Sequence, residues 1–337
     1  MRNLAALLAL AASFGSCATT GIRVPVLEPA PVNLVQYERV AVDRFHGDGC
    51  DPLSEQLAEA LRTTPNPTTG KASFQVLQRK DIDRALDELR DRHGDEWDRR
   101  TMEVLERWRT AQIVLTGTVE QHHVQDQIVE QHSVDPRGRQ ICWRERHCSA
   151  EVRACLQLND VDGKTVFDRA VLQGCVATQT RADAGEPACI EHEPLLAQAR
   201  AQIVQQYLAR VLPHQVWLQV DLYTDGSFPD LQVGNGYAEA GNWQQAAESY
   251  QRALDAMTSA NGAPRYKALF NLGVACEFTD RFDEARKSLQ DAYAQGQDHM
   301  ILQELQRVDR REQDVRRLRE QGTQPARPAT PTPTPVR

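Results

Sequence analysis

The chain has 337 residues, 26% of them charged, 41% hydrophobic and only 6% aromatic, enough for about two ordinary domains. Its 39 basic and 47 acidic side chains give a formal net charge of −8, which offers no electrostatic footprint for DNA or RNA and argues against a nucleic-acid partner. The one long apolar run, Leu4 to Ala12, falls far short of the ~20 residues that span a bilayer as a helix.

Met1-Arg2-Asn3, the apolar run and the stretch Ser13-Phe14-Gly15-Ser16-Cys17 make the charged, apolar and small-residue regions of a bacterial export signal over residues 1–17. Its end resembles a lipobox: Gly15 and Ser16 precede Cys17, the residue that would carry lipid, with Phe14 in place of the usual leucine. Ordinary cleavage after Ala18 is the alternative. Lipidation at Cys17 would tether the chain to a membrane, and Ala18, which is not aspartate, points to the periplasmic face of the outer membrane. Residues 18–37, with prolines from Pro25 to Pro31, read as a linker.

A domain over 38–224 follows. Glu38 to Phe45 reads as a short buried strand, after which Asp51 caps a helix with Pro52 in its first turn and Leu53, Leu57, Ala60, Leu61 and Thr64 on one face. Pro65 and Pro67 stop it. Ser73 to Gln78 is a second strand; Asp81 caps a helix carrying Ile82, Ala85, Leu86 and Leu89, and a third helix holds Met102, Leu105 and Trp108. Ile113 to Val119 returns to strand. The alternation predicts an α/β domain, a mixed sheet with helices and long hairpins. Asp135-Pro136-Arg137-Gly138 is a turn, and Cys148, Ala150, Val152, Ala154, Leu156 and Leu158 alternate with polar residues as one half-buried strand. Asp162-Gly163 reverses the chain into Thr165 to Thr178, Leu196, Ala199, Ile203, Tyr207 and Val211 stripe a helix, and Val216 to Leu222 closes the domain as a strand.

Seven cysteines lie beyond Cys17: Cys50, Cys142, Cys148, Cys155, Cys175, Cys189 and Cys276. In an exported chain they predict disulfides or buried thiols, with Cys276 the free one. A tight hairpin at Asp162-Gly163 sets position 155 nearer 170 than 175, against a Cys155–Cys175 bridge. Cys142, His147 and Cys148 lack a second ligand pair for zinc, so no metal is expected. His122, His123 and His132 read as solvated strand residues, His46, Asp48 and Cys50 as a loop without a recognisable base, and Asp160 to Gly163 as a turn that lacks the closing glutamate of a calcium loop. With no phosphate-cradling loop, serine elbow or His-Glu-x-x-His helix, no catalytic residue and no cofactor are expected.

Val40-Ala41-Val42-Asp43-Arg44-Phe45, Phe74-Gln75-Val76-Leu77-Gln78-Arg79, Ile113-Val114-Leu115-Thr116-Gly117-Thr118-Val119 and Leu158-Asn159-Asp160-Val161-Asp162-Gly163-Lys164 together resemble the curli-secretion lipoprotein superfamily and its relatives that activate penicillin-binding proteins, over roughly 35–225. The resemblance implies a periplasmic interaction domain. It also raises a secretion pore built from inserted hairpins, but Val119 to Val134 sets Gln121, His123, Gln125, Gln127 and Gln131 on one face and Glu120, His122, Asp126, Glu130 and His132 on the other, so neither face suits lipid.

Residues 225–321 repeat at a spacing of 39: Gly234, Tyr237, Gly241, Ala246, Tyr250 and Ala253 recur as Gly273, Cys276, Asp280, Ala285, Leu289 and Ala292. This resembles the tetratricopeptide repeat, an all-α unit stretched here at Thr258 to Ala263. Gly234, Ala246, Gly273 and Ala285 let paired helices approach, while Tyr250, Ala253, Leu254, Leu289 and Ala292 fill the seam. A following helix with Ile301, Leu305, Val308, Val315 and Leu318 caps the stack, and the Pro-rich tail over 322–337 has no means of forming a core. Asn235, Tyr237, Asn242 and Asn271 are the candidate lining of a concave peptide-binding side; the same helices can equally pack on the first domain and bind nothing. The expected partners are a protein of the cell envelope, the membrane through the N-terminal lipid, and further copies of the chain. Two readings stand: a tethered adaptor or regulator, and a ring-forming secretion subunit.

Overall fold

The computed structural model describes residues 19–67, 70–79, 81, 83, 110–161, 165–257 and 265–322. The export signal with Cys17, the helices expected after Asp81, the Asp162-Gly163 turn and the tail lie outside them. The chain forms two compact units, one made of Pro29–His214 with the chain from Leu318, the other of the chain up to Glu28 with Gln215–Arg317.

The first unit holds a mixed five-stranded sheet. Taking strands in chain order, with β1 (Thr19–Glu28) belonging to the second unit, it contains β2 (Arg39–His46), β3 (Gln75–Gln78), β4 (Ile113–Val134), β5 (Gln140–Asp160) and β6 (Val166–Ala182) in the order β3-β2-β4-β5-β6. β2 runs parallel to β3 and β4, while β4, β5 and β6 are antiparallel. The predicted turn closes the first long hairpin. The Asp135 carboxylate accepts the N–H groups of Arg137 at 2.9 Å and Arg139 at 2.8 Å, and hydrogen bonding from Arg139 lowers its pKa.

On β5 the six predicted residues, Cys148 through Leu158 at every second position, are buried. Against that face packs α2 (His192–Val211), whose Leu196, Ala199, Ile203, Tyr207 and Val211 are buried as the stripe predicts. Gly174 on β6 makes this approach possible, because a Cβ there would overlap the carbonyl of Ala199.

Helix α1 (Cys50–Thr63) starts two residues earlier than a cap at Asp51 requires: Gly49, at φ +70°, is its N-cap, and Asp51 lies in the first turn, where its charge favours the helix dipole. Leu53, Leu57 and Leu61 are buried, with Ala58 rather than Ala60 completing the face.

The second unit corrects two expectations. The segment read as a linker contains β1, which pairs with β7 (His214–Tyr223) in a two-stranded sheet, so β7 does not join the five-stranded one. Ile22, Val24 and Val26 alternate with exposed residues on β1, and together with Val220 and Leu222 they form one apolar face that merges with the helical core. That core is built by α3 (Pro229–Glu239), α4 (Trp243–Met257), α5 (Arg265–Glu277), α6 (Phe282–Gly296) and α7 (His299–Gly322). Ile301 and Val308 of α7 are fully buried, as a capping helix requires.

Candidate protein-interaction site

The repeat register is visible in the packing. Ala246, Tyr250, Ala253, Ala285, Leu289 and Ala292 are all buried. A Cβ on Gly234 would overlap the Tyr250 ring, and one on Gly273 would lie 2.7 Å from Leu289 Cγ, so each glycine admits the bulky residue of its own hairpin. The turns match too: Gly241 and Asp280, 39 apart, both take the left-handed conformation, at φ +77° and +58°.

The four candidate lining residues divide. Asn235 and Asn271 are buried and correct the expectation of an open asparagine-lined surface. Asn271 Oδ1 accepts the Tyr223 N–H at 2.9 Å, and its Nδ2 donates to the Tyr223 carbonyl at 2.9 Å and to Asn235 Oδ1 at 3.0 Å. Asn235 Nδ2 donates to the same carbonyl at 3.1 Å, and the Tyr250 hydroxyl donates to Asn235 Oδ1 at 2.9 Å. The end of β7 thus leaves both its backbone groups satisfied inside an aromatic nest, with Phe270 edge-on to Tyr223 at 5.0 Å. The two asparagines bind extended main chain, and that main chain is the protein's own. Tyr237 and Asn242 remain exposed, and Tyr237 lies one turn from Val233 on α3, both large apolar groups open to solvent at 38% and 47%.

At the other end of the stack Glu277 of α5, fully buried, meets Arg307 of α7 at 3.1 Å. Glu304 also pairs with Arg307. Phe278 stacks on Trp243 with centroids 4.3 Å apart, and Arg307 and Arg311 lie over its ring. None of this ion pair cluster was legible in advance, since three charged residues on two amphipathic helices read as solvated.

Residues 229–297 match the tetratricopeptide-repeat family. The tetratricopeptide repeats are the two hairpins α3–α4 and α5–α6. No curated protein matches the chain. Among solved structures the chain is similar to the PelC dodecamer from Paraburkholderia phytofirmans, at 15% identity over 57% of this chain and 96% of that one with a TM-score of 0.24. It is also similar to lipoprotein GNA1162 from Neisseria meningitidis, at 12% identity over 50% and 97%, with a TM-score of 0.23.

Outside the tetratricopeptide repeats, a cleft of about 350 Å3 in the α/β unit is bounded by Val32, Leu34, Tyr37, Lys71, Phe74 and Leu212. A smaller one, about 210 Å3, lies at the carboxyl end of β2 and holds Arg44, Arg79 and Asp83. Burial alone would push the Asp83 carboxyl up, but hydrogen bonds from Arg44 at 2.8 Å and Arg79 at 3.2 Å hold it below its ordinary value. It is a paired carboxylate.

The seven cysteines described stand as thiols, two of them, Cys148 and Cys276, buried. The strand register separates one pair: Cys155 faces Val171 and Cys175 faces Glu151, as the tight-hairpin argument requires. Cys276 is buried in the repeat seam, and desolvation pushes its thiol up to about 11. Cys142 and Cys148 share a face of β5 while His147 points to the other, so the zinc triplet weighed from sequence does not assemble. His123 is paired with Glu151 at 3.6 Å and His122 with Arg200 at 3.3 Å. His132 meets the Cys142 thiol at 2.9 Å, so all three histidines have specific partners rather than only solvent.

Proposed function

We propose that this chain is a non-enzymatic adaptor or regulator of cell-envelope machinery, exported, lipidated at Cys17 and held at the periplasmic face of the outer membrane. The observation that carries the reading is the closed tetratricopeptide pair. Such repeats serve protein interaction, and here the stack is complete in itself while Val233, Tyr237 and Asn242 stay open for a partner. The experiment has two parts. A photo-crosslinking residue at Tyr237 is expected to capture one envelope protein in cells, with capture lost when Val233 is changed to Asp. Intact mass of the mature protein is expected to show a lipid adduct that disappears in Cys17→Ala. A soluble chain cut after Ala18 removes the membrane from this account.

The long β4–β5 hairpin favours a second reading, a subunit of a curli-type secretion pore, because it leaves Ile128, Val134 and Ile141 exposed near its tip. A small native mass in mild detergent supports the adaptor. A ring-sized mass supports the pore despite the polar strand faces.

A further inference from the structure

The middle of the long hairpin carries a cluster at the edge of the buried face of β5. Asp126 on β4 stands directly opposite Cys148 on β5. The first residue of α2, His192, reaches over them, with Nε2 3.3 Å from Asp126 Oδ2. The donor atoms of Asp126, Cys148 and His192 all lie within 4.8 Å of one another. Three elements that are distant in sequence therefore converge a carboxylate oxygen, a thiol and an imidazole nitrogen on one point.

Cys189 stands three residues ahead of His192 in the sequence Cys189-Ile190-Glu191-His192, but its thiol is not among the donor atoms that lie within 4.8 Å of one another. The three donors that do converge become neighbours only once the strand register is known.

We propose that Asp126, Cys148 and His192 form a three-ligand site for a borderline-soft divalent cation of the zinc type, with the fourth tetrahedral position left to water. The donor set fits that ion. Thiolate and imidazole select zinc over magnesium or calcium, which prefer oxygen, and a carboxylate is the third protein ligand. Binding releases the Cys148 thiol proton to solvent, and the resulting thiolate and the Asp126 carboxylate balance the dication, with His192 a neutral donor and Arg146 3.5 Å from Asp126 Oδ2. In this arrangement the ion pins the first turn of α2 to the middle of the hairpin. A second grouping on the same hairpin, Glu130, His132 and Cys142, is exposed at all three residues, so water competes for every donor there, and it serves as the internal comparison.

The test uses the whole protein, reduced, stripped with a chelator and titrated with zinc against a chromophoric competitor, then with cobalt as the spectroscopic stand-in. One tightly bound equivalent is expected, with a thiolate-to-cobalt charge-transfer band and a rise in melting temperature on zinc addition. Cys148→Ser should abolish the band. His192→Ala, at a side chain half open to solvent and therefore harmless to folding, should weaken zinc by at least about tenfold, the low end of the loss seen when even an outer-shell partner is removed. Cys142→Ser should change neither. Three results would each overturn the site: equal zinc affinity in the wild type and His192→Ala, a band that survives Cys148→Ser, or a Cys148–Cys189 disulfide in protein taken unreduced from its native compartment.

Discussion

Glu304 is almost wholly buried on α7, and burial drives its carboxyl pKa well above the ordinary 4.5, opposed by the charge of Arg307 and reinforced by the charge and hydrogen bonding of Glu277. A folded-state pKa raised in this way gives stability that is fully present below about pH 4.5 and is lost as pH rises through the folded value. Glu304→Gln keeps the uncharged form at every pH. Its melting temperature should therefore fall less than that of the wild type between acid and neutral pH, and at neutral pH it should be at least as stable. A variant that instead melts far below the wild type at neutral pH would mean that the Arg307 ion pair outweighs desolvation. Asp225 runs the other way. Burial pushes it up, but the Ser227 N–H and the Lys267 ammonium, 3.1 Å away, hold it below its ordinary value. Its contribution is present above the ordinary carboxylate range and fades as pH falls, so Asp225→Asn should flatten the acid limb of the same melting curve.

At the scale of elements, the strongest constraint on the α/β unit is the seating of α2 against β6. Gly174→Ala inserts a methyl group where the Ala199 carbonyl now lies, and since backbone on both sides must move, a cost of about 1–3 kcal/mol is expected. Gly226→Ala, which meets nothing within 4 Å and has an ordinary φ, is the control and should leave the melting temperature nearly unchanged. Equal melting of the two variants would mean that α2 does not lie where the structure puts it. This helix and β5 were legible in the sequence because each shows one unbroken period, every second residue on the strand and every third or fourth on the helix, with one face buried. The repeats were legible for a similar reason, since Gly234 and Gly273 recur in register with the residues they accommodate. β1 was not. Its alternation of Ile22, Val24 and Val26 is present, but Pro25 within it signals a linker. A two-stranded sheet leaves half of each strand's N–H groups unpaired, so a proline is tolerated there. The asparagines misled for a different reason. Asn235 and Asn271 do have the chemistry to hold an extended backbone, and nothing local says that the backbone is that of Tyr223. The cluster at Asp126 was hidden because register, not spacing, brings its members together.

For the molecule as a whole, the position of β1 changes what an N-terminal lipid would do. Two tetratricopeptide repeats are fewer than the ~3 that such stacks generally need, and the apolar surface a third would cover is covered here by the β1–β7 sheet at one end and α7 at the other. Deletion of the chain through Glu28, which removes β1, should therefore lower amide protection in α3 and α4 while the five-stranded sheet, which contains no part of β1, keeps its own. Cys17 precedes Thr19 by a single intervening residue, and two residues of extended chain span at most about 7 Å. A lipid on Cys17 would consequently hold the sheet that caps the repeats against the membrane surface. Trp217 reports on this. It is exposed on β7, two residues from Gln219, whose side chain lies beside Gly21. In lipidated protein on vesicles, brominated lipids should quench a part of the fluorescence that disappears in Trp217→Phe, and a flexible spacer of about 20 residues inserted between Ala18 and Thr19 should abolish that quenching without releasing the protein. Quenching that persists with the spacer would show that β7 binds lipid by itself. Its absence in the unaltered lipidated chain would show that β1 does not stay paired when the anchor is in place.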